Sequence, residues 1–181
     1  TVALMYYFSR QHSFNEWLRI MDQTSGFASF YQNMFGDPWS RAHIVDPILP
    51  PGLKQPDMVL PFEPNVSWSY TGGPHGAWEH EGALAAIDFA PATDHGGCDP
   101  TPTWITATAR GLVVRAANGV VVLDMDGDGH EQTGWNMLYL HVATKDRVPL
   151  GTWLEADERI GHASCESGVS TGTHLHIARK Y

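Results

Sequence analysis

Two histidines near the end of the sequence have a spacing that suits metal binding or acid–base chemistry. His174 and His176 alternate with Leu175 in an apolar run that follows a Ser-Thr-Gly turn. On a strand, residues two positions apart point to the same face. The pattern therefore predicts two imidazoles on one face, with Leu175 and Ile177 directed into a core. Because an imidazole can bind a metal ion or transfer protons near neutral pH, the role of this pair depends on the partners that the rest of the chain supplies.

Further polar groups fall on or beside other apolar runs. Asp88 lies inside the run AIDFAP, where an unpaired charge is expensive, so we expect it to be paired or bound to a metal. His141 ends the run YLHV, and His75 follows a tight Gly-Gly-Pro turn, with His80 as a second candidate in the same loop. One aspartate and several histidines without a cysteine ligand suit a borderline divalent ion, zinc above all. Three protein ligands would leave an open catalytic position, whereas four would close the site.

Short strands separated by Gly and Pro fill the chain after about residue 60, and no long helical pattern appears there. The predicted strands are Val66–Tyr70, Ile87–Ala90, Trp104–Ala107, Gly111–Ala116, Val120–Met125, Trp135–Val142, Arg159–Ala163 and His174–Ala178. Earlier, Ser13 and Glu16 have capping-box spacing, and apolar residues recur at helical intervals to Met34. We therefore predict a mainly β fold with a small antiparallel sheet in residues 61–181. Residues 1–60 would form a short helical N-terminal segment and a Pro-rich linker.

Composition limits the classes of partner. The net charge of −9 argues against nucleic acid and against an anionic membrane surface. No run reaches the roughly 18 apolar residues that a transmembrane helix needs, so we expect no membrane insertion. The start of the sequence lacks a Met and looks like a cut within a longer chain. Cys98 and Cys165 could be a disulfide, two free thiols or half of a metal site, and the absence of C-x-x-C spacing favours the disulfide.

These residues together resemble the LytM/lysostaphin-type zinc endopeptidases, most closely their staphylolysin-like branch. The resemblance rests on CESGVSTGTHLH at Cys165–His176, on Ile87–Pro91 and on Tyr139–His141, and it covers about residues 66–181. It implies a small antiparallel β catalytic domain that binds one zinc ion. The implied zinc ligands are His75, Asp88 and His176, and the implied metal-free catalytic histidines are His141 and His174.

The first ligand departs from the common form of the family, which places a histidine four residues before the aspartate. Leu84 occupies that position here. The staphylolysin-like form has a longer spacing, which fits His75, 13 residues before Asp88. We therefore prefer His75 to His80 as the first ligand.

The resemblance also implies a function. It predicts a zinc-dependent endopeptidase that hydrolyses peptidoglycan cross-bridges or stem peptides, including Gly-rich bonds, by a metal-activated water. An extracytoplasmic, monomeric protein is expected. The acidic composition keeps a secreted peptide or protein substrate open. The alternatives are a non-catalytic cell-wall-binding or amidase-activating module on the same fold and a structural zinc domain with four ligands.

A second group of carboxylates has a spacing typical of a calcium loop. Asp124, Asp126 and Asp128 alternate ahead of Gly129, which takes the sixth position. The twelfth position, however, is Trp135, where such a loop needs a bidentate glutamate. A polar, Gly-rich hairpin turn is therefore the favoured interpretation, with Ca²⁺ as the less favoured one. We interpret the remaining histidines as surface or loop residues: His12, His43, His95, His130 and His162.

Overall fold

The structure of the chain, a computed structural model, describes residues 29, 33–34, 52–77, 84–92 and 96–181. The chain divides into two compact units, Thr1–Lys54 and Gln55–Tyr181. In the first unit, Ser29, Asn33 and Met34 are helical. The rest of the predicted N-terminal helix lies outside the described residues, as does most of the Pro-rich segment. The same holds for four histidines: His12, His43, His80 and His95.

Nine strands lie in the described part of the second unit, and they form two antiparallel sheets. The strands are β1 Trp68–Gly76, β2 Leu84–Pro91, β3 Trp104–Thr106, β4 Gly111–Ala117, β5 Val120–Asp124, β6 Asn136–Leu140, β7 Trp153–Leu154, β8 Arg159–His162 and β9 Leu175–Lys180. The large sheet has the order β1-β2-β9-β6-β5-β4-β7, and β3 pairs with β8. The predicted mainly antiparallel β fold is confirmed.

The middle of the large sheet is covered on both faces. Every residue of β5 and β6 is buried, and so are the first four residues of β9. This explains why these strands are nearly continuous apolar runs rather than alternating ones. Tyr139, fully buried in β6, accepts a hydrogen bond from the Thr108 amide at 2.8 Å. The polar residues of β6 and β9 are therefore held on rigid backbone.

Some local features differ from the sequence-based predictions. The sequence predicted a tight turn before His75. This prediction is wrong, because Gly72 to Gly76 continue β1 as an irregular strand paired with β2. Strand β7 was not predicted, since two residues are too short to show a period. His162 is not a surface or loop residue. It lies in β8 with a side chain that is 13% exposed, and its ring stacks on Trp104 at 3.9 Å.

Residues ahead of β1 add to the second unit. The Val59 amide donates to the Thr108 carbonyl at 2.8 Å, and the Pro61 carbonyl accepts from the Thr106 amide at 3.0 Å. Phe62 is half-buried and stacks on Trp68 with ring centroids 5.3 Å apart. Among the described residues, no helix combines the length and apolar character required to cross a membrane.

Candidate metal centre

Three neighbouring strands bring His75, Asp88 and His176 together. In the sheet register Asp88 lies opposite His176 on β9 and opposite Gly72 on β1, three residues before His75. One ligand atom from each of the three side chains lies within 4.8 Å of the other two. Asp88 Oδ2 is 2.8 Å from His75 Nε2, and Asp88 Oδ1 is 3.2 Å from His176 Nδ1. The sheet thus converges one carboxylate and two imidazoles on a single point.

In each imidazole, the ring nitrogen that lies away from Asp88 faces a backbone carbonyl. His75 Nδ1 is 3.2 Å from the Gly76 carbonyl oxygen, and His176 Nε2 is 2.7 Å from the Ala77 carbonyl oxygen. A carbonyl oxygen can only accept a hydrogen bond, so His75 Nδ1 and His176 Nε2 are the donors. In a neutral imidazole the other ring nitrogen, which faces Asp88, then carries a lone pair. Two lone pairs facing one carboxylate require a proton or a cation between them. This donor arrangement fits a divalent metal ion such as zinc.

Asp88 itself supports that fit. Its Oδ1 is buried and has no hydrogen-bond partner in the described residues, although His176 Nδ1 lies 3.2 Å away. A Cβ at Gly72 would lie 3.0 Å from Asp88 Oδ2, so glycine leaves room beside the carboxylate. Burial lowers the pKa of His75, but the Asp88 hydrogen bond and charge outweigh it and raise the pKa overall. Burial lowers the pKa of His176 despite opposing contributions from Ala77 and Asp88.

Two further histidines lie beside this cluster. The rings of His141 and His174 are 4.4 Å apart, and the ring of His141 is 6.3 Å from that of His176. His141 Nδ1 donates to the Glu166 carbonyl at 3.0 Å, and His174 Nδ1 donates to the Gly172 carbonyl at 2.8 Å. Each ring therefore keeps Nε2 as its free basic nitrogen when neutral.

His141 is the more constrained of the two. It directly follows β6, is 3% exposed, and has a φ of 67°, which is uncommon for a residue with a side chain. Such backbone conformations cluster at functional sites, where the surroundings hold them. Burial and the neighbouring His174 lower the pKa of His141, so the ring is neutral at neutral pH.

The loop 165–173 supplies both carbonyls that orient these histidines, and it is braced at each end. Cys98 forms a disulfide with Cys165, as predicted. At the other end, the Thr173 amide donates to the Gly97 carbonyl at 2.8 Å, and Thr173 Oγ1 donates to the Asp99 carbonyl at 2.6 Å. We call this loop the orienting loop.

Glu166 anchors the middle of the orienting loop, and sequence reasoning missed it. Its carboxylate accepts from the Thr144 amide at 2.7 Å, from Thr144 Oγ1 at 2.6 Å and from Arg147 Nη2 at 3.0 Å. Partial burial opposes ionisation, but these donors hold the pKa of Glu166 below its usual value. No spacing in the sequence indicates the role, because its partners are about 20 residues away.

All five predicted site residues therefore meet at one edge of β1, β2, β6 and β9. The alternative first ligand, His80, lies outside the described residues. The predicted carboxylate group is also assembled, since oxygens of Asp124, Asp126 and Asp128 lie within 4.8 Å of one another in the β5–β6 hairpin.

Comparisons with known proteins agree with this fold. No family model matches the chain. The chain is 26% identical over 175 residues to Protease LasA of two Pseudomonas aeruginosa strains, covering 86% of this chain and 38% of that protein. The match thus extends further toward the N-terminus than the resemblance predicted for residues 66–181. The chain spans only 38% of the length of these curated relatives.

Solved structures show which fold this chain has. The M23 metalloprotease Pseudoalterin from the deep sea superposes with a TM-score of 0.55 at 21% identity, covering 70% of this chain and 72% of that one. The catalytic domain of lysostaphin from Staphylococcus simulans gives a TM-score of 0.42 at 25% identity, covering 64% and 80%. The chain thus has the M23 metallopeptidase fold, and the predicted resemblance to the lysostaphin-type family is confirmed.

Proposed function

We propose that this chain is a zinc-dependent endopeptidase. The observation that carries the proposal is the division of the site into two parts. Three ligand atoms converge within 4.8 Å, and beside them two further histidines are each held at Nδ1 by a backbone carbonyl, which leaves Nε2 for acid–base chemistry. Three protein ligands leave a coordination position for water or substrate, whereas a structural site uses four. A pure binding module has no need of two oriented, metal-free histidines.

The metal-binding residues in this proposal are His75, Asp88 and His176. When bound, zinc supplies Lewis-acid polarisation of a carbonyl and lowers the pKa of a water molecule. His141 accepts a proton at Nε2, a role favoured by its lowered pKa and by the Glu166 carbonyl on Nδ1. His174, fixed at Nδ1 by the Gly172 carbonyl, would in its protonated form donate from Nε2 to developing negative charge or to the leaving amine.

A groove beside the orienting loop supports a peptide substrate. It has a volume of about 770 Å³ and is lined by Trp104, Lys145, His162, the disulfide and Glu166, among others. Glu166, which lines this groove, also orients His141 through its backbone carbonyl. We propose peptidoglycan cross-bridges or stem peptides as the substrate, Gly-rich bonds included. The similarity to Protease LasA supports this class of reaction. The disulfide supports an extracytoplasmic location.

Zinc content and hydrolysis, measured on the same variants, test the proposal. We expect about one zinc per chain by elemental analysis, lost in His75→Ala and His176→Ala and kept in His80→Ala and His130→Ala. His141→Ala should keep zinc and lose about 10²-fold or more of kcat, measured as amines released from purified peptidoglycan. Well-folded protein that takes up no zinc would overturn the site. Zinc-loaded protein that cleaves neither peptidoglycan nor glycine peptides would favour a non-catalytic module.

A further inference from the structure

The hairpin that joins β5 to β6, residues 124–136, carries a group of side chains that the peptidase site does not use. We call it the acidic hairpin. Oxygens of Asp124, Asp126 and Asp128 lie within 4.8 Å of one another, and Asp124 is fully buried while the other two are exposed. Desolvation and the adjacent Asp124 carboxylate raise the pKa of Asp126. Three carboxylates this close repel one another unless a cation or a proton lies between them.

The backbone of the acidic hairpin wraps around its buried carboxylate. Asp124 Oδ1 accepts from the Asp126 and Gly127 amides at 3.2 Å each, and Asp124 Oδ2 accepts from the Gly129 amide at 2.8 Å. Thr133 Oγ1 donates to Asp128 Oδ2 at 2.6 Å. These bonds hold the carboxylates in place but add no charge to balance them.

A second, independent observation comes from Asn136. The side chain is 1% exposed, and its Oδ1 is buried without a hydrogen-bond partner in the described residues. Leaving a buried polar oxygen unpaired is costly, so a native structure usually supplies a partner. The zinc-ligand candidate Asp88 has an orphaned buried oxygen of the same kind.

Asn136 is directed into the acidic hairpin. It lies directly opposite Asp124 in the β5–β6 register, so the two side chains share one face of the sheet. Its Nδ2 donates to the Thr133 and Gly134 carbonyls at 2.8 and 3.3 Å. Asp126 contacts the same segment, because any side chain at Gly134 would overlap Asp126 Oδ2.

We propose that the acidic hairpin binds a calcium ion through Asp124, Asp126, Asp128 and the Oδ1 atom of Asn136. All four donors are oxygens, which suit a hard cation, and the absence of a nitrogen or sulfur donor in this set disfavours zinc. The sequence pattern disfavoured calcium because its twelfth position is Trp135. In the structure the unpartnered oxygen belongs to the next residue, on the first position of β6. The ion would tie together the strand pair that leads to His141.

Calcium titration of the zinc-loaded protein tests this site. We expect one Ca²⁺ per chain by calorimetry, with a dissociation constant of about 0.1–1 mM, as in extracellular modules. At saturating Ca²⁺ the unfolding midpoint should rise by about 3 °C or more. Terbium(III) should bind in its place and show emission sensitised by the tryptophans that contact or flank the hairpin, Trp135 and Trp153.

Charge-removing variants locate the ion. Asp124 is buried and holds three amides, so its variants risk misfolding, and the exposed Asp126→Asn and Asp128→Asn are used instead. Each should weaken calcium binding by tenfold or more and abolish the thermal shift. Asp157→Asn is the matched control, because it removes the same charge from an exposed aspartate outside the hairpin and asparagine tolerates its φ of 70°.

Two results would overturn the site. One is a well-folded wild-type chain that shows no calcium response up to about 10 mM, ten times the weakest constant expected. The other is an equal response in wild type and in Asp126→Asn and Asp128→Asn. Repeating the titration on His176→Ala shows whether a response comes from the zinc-site residues instead. Because these readouts require no hydrolysis, the calcium site and the peptidase function can fail separately.

Discussion

At the scale of single residues, the environment of His141 predicts a pH profile. Burial and the nearby His174 lower the pKa of His141 below its ordinary value of 6.5. A lowered pKa means that the ring stays neutral, and therefore able to accept a proton, to a lower pH than a free histidine does. We expect the acid limb of the kcat profile to have its midpoint below pH 6.5. The measurement is kcat from about pH 4.5 to 9 at saturating substrate, with zinc content checked at each pH.

The control for this profile is His174→Ala. It removes the neighbouring imidazole that contributes to the lowered pKa of His141. Any residual activity of that variant should have an acid limb shifted upward. A wild-type acid limb above 6.5 would contradict the assignment of His141 as the proton acceptor.

Substitution of Gly72 should weaken metal binding although no metal ligand is replaced. A Cβ at Gly72 would lie 3.0 Å from Asp88 Oδ2, closer than an ordinary contact, and the carboxylate would have to shift. Because groups that orient a metal ligand typically contribute 10–100-fold to affinity or activity, we expect Gly72→Ala to bind zinc about tenfold more weakly or worse. The measurement is competition for zinc with a chromogenic chelator.

Gly96 provides a matched control for this substitution. A Cβ there would meet nothing within 4 Å, and its φ lies outside the left-handed region, so Gly96→Ala should bind zinc as the wild type does. Equal zinc affinity of the two variants would show that the space beside Asp88 is not needed. A shared loss of thermal stability would indicate a backbone effect instead.

At the scale of elements, the orienting loop predicts a positioning role for Glu166. Its carboxylate is bound by Thr144 and Arg147, while its carbonyl orients His141. Releasing the carboxylate should loosen the carbonyl and mix the two tautomers of His141. We expect Glu166→Ala to lower kcat about tenfold with zinc content unchanged. Nitrogen-15 NMR of the imidazole should show the change of tautomer.

Two variants separate positioning by Glu166 from a general structural effect. Glu166→Gln keeps an oxygen for the Thr144 donors and should recover part of the loss. Glu158→Ala is the matched control, because Glu158 Oε2 also accepts from a backbone amide, that of Glu155 at 2.8 Å, outside the orienting loop. If Glu166→Ala and Glu158→Ala behave alike, the positioning role is wrong.

The elements also show which parts of the structure the sequence could predict. Strands β5 and β6 are nearly continuous apolar runs, and ahead of and within β9 His174 and His176 alternate with Leu175 and Ile177. These patterns lie within short stretches of sequence, so they can be detected from the sequence alone. The bonds between Thr173 and the 97–99 segment join residues more than 70 positions apart and leave no local pattern. Glu166 was missed for the same reason, since its side chain acts on a distant turn.

At the scale of the whole molecule, the second unit has its own core. Apolar residues from β3, β4, β5, β6, β8 and β9 form one buried cluster. The compact unit that holds this core begins at Gln55. Val59 and Pro61, near its start, make backbone hydrogen bonds to the turn after β3 and to β3 itself. Those bonds predict how far the second unit can be truncated from its N-terminal side before it loses stability.

Two fragments test where the folded unit starts. We expect residues 55–181 to unfold cooperatively and to bind one zinc per chain, because the fragment keeps its core and the Val59 and Phe62 contacts. A fragment starting at Glu63 loses the half-buried Phe62 ring, which stacks on Trp68, and the backbone hydrogen bonds of Val59 and Pro61. Partial burial of an aromatic ring and two hydrogen bonds together contribute about 3 kcal/mol. The unfolding midpoint of this fragment should therefore fall by about 10 °C or more in calorimetry. Equal midpoints would show that residues 55–62 add nothing, and failure of both fragments to fold would show that the second unit depends on the first.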